Sequence, residues 1–173
     1  MNYDRNLLQA LARIAPNPWQ GKVYRHMFAN YPPERENTLG ARWNPPEVPA
    51  IYTSLSRDGV LAEVEYQISG EPLRPQVRRT VYQLSVCLSS VLDITQTGML
   101  AAVGLAPRHL AELDQTNCRT VGGAVEYLEH DGLLVPSARL PGAINLVIYP
   151  NRQSGDYEFR VEGKEIIFDP STA

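Results

Sequence analysis

Gly40-Ala41-Arg42-Trp43-Asn44-Pro45-Pro46, followed by Ala50-Ile51-Tyr52-Thr53-Ser54 and Leu61-Ala62-Glu63, decides how this chain is read. It runs from an irregular loop into a short strand and then a helix. Pro32, Pro33, Pro45, Pro46 and Pro49 exclude regular structure over residues 30–49. A long irregular loop inside a folded domain more often serves function than decoration. Ile51 and its neighbours read as a strand. From about Asp58 to Ile68, the residues Val60, Leu61, Val64 and Ile68 share one helix face, with Glu63 at its edge.

Working outward, Leu7, Leu8, Leu11 and Ile14 recur at helical spacing over residues 4–15, and Asn17-Pro18 stops the run. Residues 23–27 form a short strand. Residues 80–88 alternate, with Tyr82, Leu84, Val86 and Leu88 on one side. Pro107 opens a helix through Leu110 and Leu113, and Val121, Ala124, Val125 and Leu128 mark another that Gly132 ends. Strands follow at Leu133–Val135, Ile144–Tyr149, Tyr157–Val161 and Glu165–Phe168, the last two joined by a hairpin at Glu162-Gly163-Lys164. No repeat or linker divides the chain. The expectation is one α+β domain over residues 1–173.

The 173 residues carry a net charge of −3, with 43% hydrophobic and 20% charged positions. Nothing in that balance favours a basic nucleic-acid-binding surface. Arg74, Arg78 and Arg79 cluster locally and read as a solvated strand entrance. Cys87 and Cys118 show no CxxC spacing, and Met1-Asn2-Tyr3-Asp4-Arg5 does not open a signal peptide. No run approaches the roughly 20 apolar residues of a membrane span. These features lead us to expect a cytoplasmic protein with reduced thiols. His26, His109 and His130 lie far apart without zinc-site spacing, and there is neither a GxGxxG nor a Walker loop.

Four polar residues can carry chemistry, although each alone is also an ordinary structural residue. The Arg42 guanidinium can grip phosphate oxygens bidentately, or simply cover Trp43 with its stem. Tyr52 can stack on a flat ring, or half-bury itself in its strand. Glu63 can stabilise positive charge on a ribose, or face solvent; its rivals are Glu65, nearly opposite on the helix, and Glu71. Ser137, in Val135-Pro136-Ser137-Ala138-Arg139, can bond an amide or ribose or form a turn, but lacks a nucleophile elbow. Trp43 and Asn44 are weaker candidates, one suited to packing and the other to a turn before Pro45.

Order and context change that weighting. Gly21-Lys22-Val23-Tyr24-Arg25, the stretches quoted first, Leu61-Ala62-Glu63-Val64, Leu133-Leu134-Val135-Pro136-Ser137 and Asn145-Leu146-Val147 together resemble the RES domain over about residues 20–150. The resemblance implies a fold similar to ADP-ribosyltransferase toxins, with a small mixed sheet split around a NAD cleft. It places the family's arginine, glutamate and serine on Arg42, Glu63 and Ser137, and its active-site tyrosine on Tyr52, with Arg25, Trp43 and Asn44 as substrate contacts. It further implies a toxin of a bacterial toxin–antitoxin module whose partner carries an Xre-like helix-turn-helix. Such a toxin cleaves the nicotinamide–ribose bond of NAD by hydrolysis or phosphorolysis, with NAD as substrate and no separate cofactor or metal. The alternatives are an ADP-ribosyltransferase acting on a protein, and a non-catalytic interaction module.

Overall fold

Five strands close on themselves, and the longest of them also carries a sixth along its length. A computed structural model describes residues 2–28, 31–70, 77–152 and 157–168. The chain runs α1 (Arg5–Ala12), β1 (Asn17–Phe28), β2 (Ile51–Ser54), α2 (Arg57–Gly70), β3 (Arg79–Asp93), α3 (Met99–Ala102), α4 (Thr116–Tyr127), β4 (Gly132–Pro136), β5 (Ile144–Ile148) and β6 (Glu158–Phe168). The sheet order is β1-β2-β5-β4-β3-β6, and β1 also pairs with β3, so the first five strands form a barrel. Among the described residues, only β3 and β4 pair in parallel. The expected α+β class holds, but the sheet closes instead of splitting. Its weak seam lies between β1 and β2, which share the single register pair Tyr24–Ser54.

Side-chain alternation explains why the two faces differ. Val23, Ile51, Leu84, Val86, Leu88, Val91, Leu146 and Ile148 come together with Leu134, so all five strands fill the barrel. The opposite set, including Leu133, Val135 and Val147, packs with Leu11 of α1 and with Val121, Ala124 and Val125 of α4. Asp4 caps α1 by accepting from the amides of Asn6 and Leu7. A bulge in the β1–β3 register falls between Leu88 and Val91 and shifts the inward phase by one residue. The fully buried Asp131 carboxylate accepts from the Ser89 and Ser90 amides at 2.9 Å each, so the bulge leaves these two donors satisfied.

Several sequence expectations change here. β1 and β3 are longer than their apolar runs suggested, because they pair with one another along nearly their whole length. Glu162-Gly163-Lys164 makes no hairpin: β6 is one strand along β3, and its register shifts opposite Gln83 and Leu84. Pro107 opens only a 3₁₀ turn ending at Leu110, and Leu113 is 90% exposed. The helix α4 stops at Tyr127 with Glu129 in left-handed backbone, whereas Gly132 begins β4. Ile68 is exposed, leaving Val60 and Val64 as the buried apolar residues of α2. Arg79 is buried, stacked on Phe28 and donating to Gln67, so it is no solvated entrance. Arg74 and Glu71 lie outside the described residues.

One close approach fixes the loop that carries Arg42. A Cβ on Gly122 of α4 would stand 2.0 Å from the Trp43 carbonyl oxygen. Gly122→Ala is therefore expected to cost about 1–3 kcal/mol or more through overpacking, read by denaturant unfolding.

Candidate active site

The seam between β1 and β2 opens into a cavity of about 490 Å³. That size suits a small-molecule site. Its wall includes Arg25 and His26 from β1, Tyr52 to Ser54 from β2, Glu63, Tyr66 and Gln67 from α2, Arg42 and Trp43 from the loop, and Arg139 and Asn145. Five sequence-selected residues thus meet on one surface: Arg25, Arg42, Trp43, Tyr52 and Glu63. Asn44 and Ser137 do not line it.

Tyr52 lines this wall, and its hydroxyl is braced from behind by Asn44. The Tyr52 hydroxyl donates to Asn44 Oδ1 at 2.7 Å and accepts from the Trp43 amide at 2.8 Å. The fully buried Asn44 amide donates to the carbonyls of Asn37 and Val48. Burial pushes the Tyr52 phenol well above its ordinary value, so it stays a neutral donor. Trp43 is packed in the core, and its carbonyl accepts from the Tyr149 hydroxyl at 2.9 Å. Tyr52→Phe leaves two buried polar groups without this partner; a loss of about 1–3 kcal/mol is expected, read as a lower Tm.

The arginines are committed unequally. Arg25, only 8% exposed, donates to the carbonyls of Pro33 and Arg35. Burial lowers its guanidinium to about 10, which still leaves it cationic at neutral pH. Arg42 Nη1 donates to the carbonyls of His109 and Glu112 at 3.0 and 3.1 Å, and Nη2 also reaches Glu112. It therefore ties the loop to the segment before α4. Arg119 reinforces the tie by donating to the Ala41 carbonyl at 3.0 Å.

Glu63 is the carboxylate of the cavity; Glu65 is exposed and does not line it. Ser56 starts α2 by accepting from the Gly59 amide, and Gly59 packs against Ser54 too closely for a Cβ. That contact sets where the helix begins and hence which way Glu63 points. Burial raises the Glu63 carboxyl above its ordinary value, against the lowering influence of Arg139 and then Arg42. A poorly solvated carboxylate is a strong local stabiliser of developing positive charge. Arg25, Arg42 and Arg139 outnumber it, so the cavity suits a polyanion that develops a cationic centre.

Sequence reasoning missed three wall features. His26 Nε2 lies 3.2 Å from Gln67 Oε1, and burial lowers its imidazole to about 4, so it is neutral. Asn145 presents a buried Oδ1 with no hydrogen-bond partner. Arg139 sits over the Tyr66 ring, with Cζ 3.3 Å from its centre. All three lie in or beside the quoted motifs, but only the fold shows which of them reach the cavity. Ser137 works from behind the wall. Its Oγ accepts from the Arg139 and Leu140 amides at 3.2 Å, shaping the turn that presents Arg139.

Among the described residues, no helix is long and apolar enough to cross a membrane. The RES domain model matches residues 10–169. NAD(+) phosphorylase MbcT from Mycobacterium bovis and from Mycobacterium tuberculosis are each 31% identical over 153 residues, covering 84% of this chain and 81% of theirs. The crystal structure of the M. tuberculosis MbcT–MbcA toxin–antitoxin complex superposes with a TM-score of 0.84 at 25% identity, covering 95% of this chain and 93% of that one. With the match spanning nearly the whole chain and its motifs gathered on one cavity, the protein belongs to the RES domain family.

Proposed function

We propose that this protein is a NAD-degrading toxin that breaks the nicotinamide–ribose bond by phosphorolysis. The observation that carries the reading is Glu63, a burial-perturbed carboxylate in a cavity whose other charged wall residues are Arg25, Arg42 and Arg139. The similarity to proteins named NAD(+) phosphorylase supports phosphate as the acceptor. NAD is the substrate and no further cofactor takes part. The reading extends to a fold related to ADP-ribosyltransferase toxins, supported by an arginine on β1, a tyrosine on β2 and a glutamate on α2 around one cavity.

Nicotinamide leaves a pyridinium linkage as a neutral base, so departure needs no acid. The requirement is a negative group near the ribose as its C–N bond lengthens, and Glu63 supplies it. Tyr52 offers a flat wall to the nicotinamide, and Arg25 and Arg42 set a positive field for the diphosphate. Ser137 acts by shaping the Arg139 turn.

The same reading implies a cytoplasmic enzyme held silent by a helix-turn-helix antitoxin covering the cavity mouth. Leu39 and Leu113 support such a surface: they are 88% and 90% exposed and lie close in sequence to the wall residues Ala41 and Gln115. Expression without a partner is expected to arrest growth and deplete cellular NAD, measured by enzymatic cycling assay. Growth arrest at unchanged NAD favours a protein-modifying transferase instead.

A further inference from the structure

Arg139 is the cavity arginine whose guanidinium is not spent on the protein. Arg25 and Arg42 give their N–H groups to backbone carbonyls. Among the described residues, Arg139 has no side-chain hydrogen bond, and its Nε is shut from solvent without a partner. The Glu63 oxygen stands 3.9 Å from that Nε, an ionic contact too long to be a hydrogen bond. Stacking on Tyr66 fixes the guanidinium plane but uses no N–H. The side chain is only 17% exposed. A buried donor left without an acceptor is costly, and a planar fork of free N–H groups fits phosphate oxygens. The turn behind it is already ordered, since Ser137 Oγ accepts from the Arg139 amide and the Ser137 amide donates to the Ala143 carbonyl.

We propose that Arg139 seats the acceptor, an inorganic phosphate, beside Glu63. The inference rests on the phosphorolysis reading and names the residue that makes phosphate the co-substrate. Placed next to both anions, the guanidinium offsets the repulsion between the Glu63 carboxylate and the phosphate. A phosphate oxygen forms a bond to the anomeric carbon of the nicotinamide ribose as the C–N bond breaks. Nicotinamide leaves with the bonding electron pair, and no proton has to move. The other source of the same chemistry is the diphosphate of NAD itself.

The test combines calorimetric titration with inorganic phosphate, without NAD, and steady-state kinetics in both substrates. Wild type, Arg139→Gln and Arg139→Lys are compared, with circular dichroism as the folding control. Phosphate binding and the KM for phosphate are each expected to weaken at least about tenfold in Arg139→Gln, the loss of one charge-assisted contact. The KM for NAD is expected to stay within about twofold, and lysine is expected to restore only part of the phosphate binding. A rise in the KM for NAD with an unchanged KM for phosphate assigns Arg139 to the diphosphate and overturns the proposal. Absent phosphate binding by wild type, or equal binding by all three proteins, overturns it as well. Phosphate held through Arg139 by a protein that leaves NAD intact supports the site and removes the phosphorylase reading.

Discussion

Glu63→Gln is expected to lower NAD turnover by at least about 100-fold, as when a preorganised charge opposite a developing cation is removed. The amide keeps the shape of the side chain and loses only its charge. Because burial raises the Glu63 carboxyl, wild-type turnover is expected to fall as the pH drops through a value above the ordinary carboxylate range. The stability effect has the opposite sign. A carboxyl whose folded value is raised contributes stability that is full below its unfolded value and is lost as pH rises through the folded one. Glu63→Gln escapes that loss, so its Tm is expected to match or exceed wild type at neutral pH. The gap is expected to close in acid, where both side chains are neutral. Thermal scans at the two pH values check this beside the rate assay. Near-normal turnover by Glu63→Gln places the cation stabiliser elsewhere.

Arg42→Ala is expected to reduce turnover by a similar factor, about 100-fold, through the wall of the site as well as its field. Its guanidinium spans the carbonyls of His109 and Glu112 and so fastens the 40–44 loop to the segment before α4. Losing these charge-assisted bonds is expected to cost about 1.5–3 kcal/mol of stability. Hydrogen exchange over residues 105–115 is expected to accelerate. Arg42→Lys is not expected to rescue either effect, because a point ammonium cannot bridge both carbonyls in the plane of the fork. Full turnover with faster exchange makes Arg42 a purely structural tie.

That structural part of Arg42 was not visible in the sequence. Its residue type allowed a phosphate grip or a stem laid over Trp43, but its carbonyl partners lie in a segment distant in sequence and irregular in pattern. Glu63 was legible, because its place at the edge of the apolar stripe of α2 follows from helical periodicity alone. Glu65 stayed a rival in the sequence, and only the fold sets it aside, exposed and off the cavity wall. Tyr52 was legible as a strand residue, whereas its brace with Asn44 depends on a loop that proline content marks only as irregular. Asn44 therefore read as a turn or substrate residue when its hydrogen bonds are spent inside the loop. Strands were found wherever apolar alternation was clean. The single span of β6 and the bulge at Asp131 escaped because each depends on the length and register of β3, which local pattern does not encode. Barrel closure was hidden for the same reason: β1 pairs with β3 across the whole of β2 and α2.

The central claim is that this cavity cleaves NAD with phosphate as acceptor. The most direct measurement is mass analysis of products after purified wild-type protein and Glu63→Gln are incubated with NAD, with and without inorganic phosphate. The account predicts nicotinamide and an ADP-ribose carrying a new phosphate, formed by wild type only when phosphate is present and nearly absent with Glu63→Gln. Intact NAD under all conditions, or nicotinamide release that ignores both phosphate and Glu63, contradicts it.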